Sequence, residues 1–211
     1  MGTQRRKRDR PPGRRPAALG PKRRLLVVCE GQRTEPDYVR GHERLVRNVT
    51  VEIEIPRDRG DPKKLVEIAK ERKHAAKTEA KRQGDLYLDF DEVWCVFDRD
   101  DHERFHEART MGRDNGFELA ISNPCVELWL LLHFRENPGM HHRNDLHRML
   151  DRYLPGYDKH LDFNDVANGV EAATARARRL DDDAESVGEP GRNPTTGFYR
   201  LTDSIARKDG A

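Results

Sequence analysis

Three acids stand where apolar runs stop. Glu30 directly follows Leu25-Leu26-Val27-Val28-Cys29, while Asp98 and Asp100 follow Val93-Trp94-Cys95-Val96-Phe97. An Asp-x-Asp in extended backbone points both carboxylates the same way, because strand side chains repeat every two residues. Hard oxygen ligands so placed suit Mg²⁺ or Mn²⁺, which keep most of their waters and borrow a few carboxylates together with substrate phosphate oxygens. Two further residues join the candidates. Glu127 lies in the first turn of a helix leaving the same sheet edge, where it could also serve only the helix dipole. His102 could orient a phosphate or relay a proton near neutral pH, or simply start a helix. Thr34-Glu35 offers one more acid close to Glu30, equally able to bind a metal or to cap a helix.

The elements that must position these residues follow from the pattern. The two apolar runs read as strands buried on both faces of a parallel sheet. Val49, Val51, Ile53 and Ile55 alternate with polar residues as another strand, and Phe117–Ile121 is the fourth. Helices are predicted at about 34–48, 62–82, 102–114 and 126–134, the second opened by Gly60-Asp61-Pro62 and the last by Ser122-Asn123-Pro124. Beyond 140 only helical patterns are read, around 144–154, 163–181 and 197–207. Strand and helix thus alternate four times, which predicts an α/β fold: a mostly parallel four-stranded sheet with helices on both faces and a helical C-terminal extension. In such sheets ligands bind outside the carboxyl ends of the strands, where all three acids fall.

The 211 residues suit one medium domain with tails. The reading divides them into a disordered basic arm (1–22), an α/β core (23–135) and the helical extension (136–211). Forty Lys and Arg against 38 Asp and Glu leave a charge of +2, which alone points to no polyanionic partner. Distribution says more, because residues 5–24 carry ten basic side chains against the single acid Asp9. Cys29, Cys95 and Cys125 read as buried reduced thiols. With no apolar stretch behind the basic N-terminus and none long enough to span a bilayer, a cytoplasmic protein without membrane association is expected. The Trp129–Leu132 run with Phe134 reads as core, and His133 within it as a satisfied buried histidine. His141, His142 and His147 lack the cysteine pair of a common zinc site. Asp181-Asp182-Asp183 reads as a solvated helix end, and Asn193-Pro194-Thr195-Thr196 as a helix cap. Neither a Walker phosphate loop nor a Gly-x-Gly-x-x-Gly fingerprint is present.

A Glu after one strand and an Asp-x-Asp after a later one resemble the Toprim domain of topoisomerases, primases and defence nucleases. More specifically, the ordered motifs Glu30-Gly31-Gln32-Arg33-Thr34-Glu35-Pro36, Phe97-Asp98-Arg99-Asp100-Asp101-His102, Ser122-Asn123-Pro124 with the helix through Phe134, and Asn193-Pro194-Thr195-Thr196 resemble RloB-like proteins. These are prokaryotic Toprim-related proteins found near restriction and abortive-infection loci. The resemblance spans about residues 24–205. It implies a Toprim-like, Rossmann-like core in which Glu30 is the general acid/base and Asp98 and Asp100 hold Mg²⁺.

The expectation from residues and resemblance together is a metal-dependent nuclease that cuts DNA or RNA in anti-phage defence, with a possible partner protein from the same locus. Phosphate contacts would come from the basic arm or from Lys63, Lys64, Lys70, Arg72 and Lys73, although a solvated face suits most of that helix better. The alternative is a non-enzymatic nucleic-acid- or protein-binding subunit. Phosphotransfer to a nucleotide is a third option, weakened by the missing phosphate loop.

Overall fold

A computed structural model describes residues 22–99 and 103–208. The basic arm expected to be disordered lies outside the described residues except for Lys22, as do Asp100 and His102. The elements run β1 (Arg23–Cys29), α1 (Thr34–Val46), β2 (Val51–Glu54), α2 (Pro62–Gln83), β3 (Glu92–Asp98), α3 (Phe105–Asp114), β4 (Glu118–Asn123), α4 (Glu127–Leu131), α5 (Arg143–Leu150), α6 (Val170–Ser186), β5 (Thr195–Thr196) and α7 (Phe198–Ala206).

The sheet order is β2-β1-β3-β4-β5, with β1 to β4 parallel and β5 antiparallel to β4. The expected four strands are therefore five. Thr195–Thr196 pairs with Ser122 and Asn123, and the Thr196 hydroxyl also accepts the Phe198 N–H at the start of α7, so the segment read as a cap is both cap and strand.

Both faces of the sheet are covered, which is why β1 and β3 are continuously apolar. Leu25, Val27 and Cys29 join Tyr38 of α1, Trp129 of α4 and Phe198 of α7 in one core layer. Leu26, Val28, Cys95 and Phe97 meet Leu65, Val66 and Ala69 of α2 and Phe105 and Ala108 of α3 in the other. The chain leaves β1 for β2 on one side, and α2 then carries it back to β3 on the other side of β1. The boundary between β1 and β3 is thus the topological switch point, where open α/β sheets place their ligands.

Local chemistry explains where elements start and stop. Asp61 caps α2 by accepting the Lys64 N–H at 2.9 Å, Pro62 takes its first turn, and Gly84 ends it at φ +68°. The alternation from Val49 does not begin the strand there, because the Asn48 side chain accepts the Thr50 N–H at 3.1 Å and turns the backbone. The helix expected through Phe134 stops at Leu131, since His133 and Phe134 bond back only three residues, to Leu130 and Leu131. The helix expected from 163 starts at Val170, preceded by two short 3₁₀ turns at Phe163–Asp165 and Ala167–Gly169. All three cysteines are buried and free. Among the described residues no helix is long and apolar enough to cross a membrane.

Candidate functional site

Glu30 and Asp98 meet across the switch point. The β1–β3 ladder runs on past Cys29, the Glu30 N–H donating to the Val96 carbonyl at 2.9 Å. Glu30 Oε2 in turn accepts the Asp98 N–H at 3.0 Å. Asp98 is the last residue of β3, opposite Ser122 of β4. The strand register thus brings together two of the acids expected to share a site, while Asp100 and His102 fall outside the described residues.

Glu35 and Glu127, both named from the sequence, also reach this edge. Glu35 is buried in the first turn of α1 and accepts the Gly31 N–H at 3.0 Å. A Cβ on Gly31 would lie 2.0 Å from Glu35 Oε2, so glycine is needed for this approach. Glu127 is buried at the start of α4, where it receives an ion pair from Lys159 and the Tyr157 hydroxyl at 3.3 Å. Thr34 Oγ1 donates to the Lys159 carbonyl at 2.8 Å and lies 2.6 Å from the Tyr157 oxygen, tying this loop to α1. Lys159 adopts φ +76°, a left-handed conformation that costs a non-glycine residue about 1 kcal/mol or more.

These acids perturb one another. Burial, and then the charges of Glu35, Glu127 and Glu30, push Asp98 well above the usual carboxylate range, with Arg143 of α5 opposing. Burial raises Glu35 as well, helped by Glu30 and Glu127 against the N–H bonds that Glu35 accepts. Burial would raise Glu127 too, but the Lys159 ammonium outweighs it and holds this carboxyl below its usual range. One carboxylate is thus kept ionised while two resist ionisation, the kind of separation found where acids do chemistry. A cleft of about 480 Å³ opens over the edge, lined by Glu30, Glu35, Asp98, Arg143 and Lys159 among others.

The acids in this cleft offer oxygen ligands, and the repulsion that adds to burial in raising Asp98 is what a divalent cation would cancel. Among the described residues, however, no three His, Cys, Asp or Glu side chains form a group that could hold a metal ion.

Other sequence candidates resolve differently. His133 is structural: its Nδ1–H donates to the Trp129 carbonyl and its Nε2 accepts the Tyr38 hydroxyl, both at 2.9 Å. His141 bonds the Pro138 carbonyl and His142 caps α5, so neither points to zinc. On α2, Lys63 pairs with Glu107, Arg72 with Glu54 and Asp58, and Lys73 with Asp89, which commits those cations to the protein's own acids. Asp181 is half-buried, accepting the Tyr199 hydroxyl at 3.0 Å, and is not the solvated helix end expected. Sequence reasoning missed Lys159, Tyr157 and Arg143. No local signal marks the first two, which reach the acids from a loop more than a hundred residues beyond Glu30.

The family model described as RloB-like protein matches residues 25–205. No curated protein and no solved structure matches the chain.

Proposed function

The chain belongs to the RloB-like protein family, and on that premise we propose that it is a metal-dependent nuclease that hydrolyses a phosphodiester bond in DNA or RNA. The observation that carries the reading is Asp98 at the switch point, raised by burial and by the charges of three other acids. A carboxyl so placed is suited to a divalent cation and poorly explained by packing.

In this reading Glu30, Asp98 and Asp100 hold Mg²⁺ or Mn²⁺. When bound, such an ion neutralises a phosphate oxygen and makes water a better nucleophile. Glu30, anchored on the Asp98 N–H, takes the proton of the attacking water. Glu35 and Glu127 enclose the site, and Lys159 offsets the charge of Glu127. Arg143, on the cleft wall, balances negative charge near Asp98. His102 is proposed to orient the phosphate. The defence role, the partner protein and the cytoplasmic setting are supported by family resemblance and by sequence composition.

A second reading is a binding subunit without hydrolysis, in which the acidic pocket serves structure, as in the Glu127 pair with Lys159 and the Glu30 bond to the Asp98 N–H. One comparison separates the two. Wild type, Glu30→Gln and Asp98→Asn are incubated with labelled DNA and with RNA, in Mg²⁺ or Mn²⁺ and then in EDTA. Metal-dependent cutting lost in both variants supports the nuclease. Intact substrate in every lane with binding retained supports the subunit.

A further inference from the structure

A second cleft, of about 200 Å³, lies where α3 meets the ends of α6 and α7, and is lined by Arg99, Arg109, Arg113 and Arg200. Asp181 and Glu185 are the carboxylates in its wall, so four guanidinium groups face two acids. Asp181 is already engaged by Tyr199 at 3.0 Å and by Arg200 at 3.6 Å. Arg109 and Arg113 stand four residues apart on α3 and so share a helix face. Neither guanidinium has a hydrogen bond or ion pair among the described residues, although Arg109 is half-buried. A partly desolvated cation without a counter-charge is unfavourable unless an anion arrives.

The remaining arginines are oriented into place. Arg99 donates to the Gly191 carbonyl at 2.7 Å and lies over the Phe105 ring at 5.6 Å. Arg200 rests on Gly197, where a Cβ would come within 2.7 Å of its Nη2. Planar guanidinium groups fixed in this way suit phosphate oxygens, which they bind through paired N–H donors.

Arg99 directly follows Asp98, and strand alternation sends the two side chains to opposite faces of the same sheet edge. A ligand that reaches both must cross that edge, which a polymer does and a small anion does not. We propose that this arginine cleft is a second phosphate subsite, holding a phosphate of the nucleic-acid strand near the one at the acid cluster. The identity of the strand as ligand rests on the function proposed above.

The test compares wild type with the double variant Arg109→Gln, Arg113→Gln. The control is Arg82→Gln, Arg148→Gln, which removes the same charge from exposed positions outside the cleft. Binding of labelled single-stranded DNA and RNA oligonucleotides is followed by fluorescence anisotropy in EDTA at several salt concentrations, with ATP and inorganic phosphate as competitors. Cutting in Mg²⁺ is assayed separately.

The cleft variant is expected to bind about tenfold more weakly, with a salt slope shallower by about 0.7, the contribution of one single-strand phosphate contact. The control should keep both the wild-type affinity and slope. Wild-type binding by the cleft variant overturns the subsite, as does tight ATP binding without oligonucleotide binding, or no oligonucleotide binding at all. Loss of binding in the cleft variant of a protein that cuts nothing leaves the subsite standing and removes the nuclease. Cutting that requires Glu30 but is untouched in the cleft variant removes the subsite alone.

Discussion

Asp98 gives the folded chain an unusual dependence on pH. Its carboxyl is raised, so between its ordinary and its folded pKa the folded state keeps a proton that the unfolded state releases. The contribution of Asp98 to stability therefore falls as pH rises through that window, opposite to an ion-paired carboxylate. Asp98→Asn should stabilise the metal-free protein near neutral pH by on the order of 1 kcal/mol, as replacements at strained functional sites commonly do, while abolishing metal-dependent cutting. Urea unfolding in EDTA and the cutting assay read the two effects, and a destabilised Asn variant would count against the site. Lys159 should behave in the opposite sense. Lys159→Met leaves Glu127 buried without its cation, and the expected loss is about 1–3 kcal/mol, reduced from that of a fully buried pair because the Lys159 side chain is 48% exposed. Adding Glu127→Gln to that variant should recover part of the loss, a coupling that a double-mutant cycle measures directly. Simple additivity of the two changes would show that the pair is not coupled.

At the scale of elements, α1 and α4 are locked by a neutral histidine. His133 is held down to a pKa of about 4, chiefly by burial, against bonds to the Trp129 and Leu130 backbone that favour its charged form. The unfolded chain takes up a proton near pH 6.5, so below that value the unfolded state gains a proton that the folded state refuses. Stability from His133 is complete above this pH and is lost as pH falls toward about 4, at up to roughly 1.4 kcal/mol per pH unit. Buried His42 acts in the same direction. Equilibrium unfolding from neutral pH to pH 4 should show this slope, and His133→Gln should flatten it. An unchanged slope would place the acid sensitivity elsewhere. The same elements show what was legible in the sequence. The first and third strands announced themselves, because burial on both faces forces an unbroken apolar run, and Glu30 and Asp98 were legible because they end those runs. The two-residue β5 has no periodicity to read, and its pairing depends on Ser122 and Asn123, far away in the chain. Lys159 was illegible for the same reason: its contact with Glu127 exists only after the C-terminal half has folded back over the sheet.

For the molecule as a whole, that return decides whether the α/β part can stand alone. Phe198, Leu201 and Ile205 of α7 are fully buried in the same core layer as Leu25, Tyr38 and Trp129. Asn48, in the loop after α1, donates to the Ile205 carbonyl at 2.9 Å. At the same end of the sheet, Glu92 receives Arg23 at 2.6 Å, Ser204 at 2.5 Å and Arg207 at 2.5 Å, joining α7 to β1 and β3. Removing these elements leaves α1 and α4 alone over one sheet face and uncovers the apolar side chains that packed on α7, a surface that a small domain cannot leave in water. A chain ending at residue 135 should therefore fail to unfold cooperatively, whereas Phe198→Ala in the full chain should retain the fold at a cost of about 3–5 kcal/mol. Thermal unfolding followed by near-ultraviolet circular dichroism distinguishes the outcomes, since Trp129 stacks on Phe198 at 5.6 Å and reports on this layer. A sharp transition from the shortened chain would make the sheet an independent domain and reduce the C-terminal helices to a detachable cover. The acid cluster would then have to work without Lys159 and Tyr157, and cutting by the shortened chain would show that their contacts with Glu127 are dispensable.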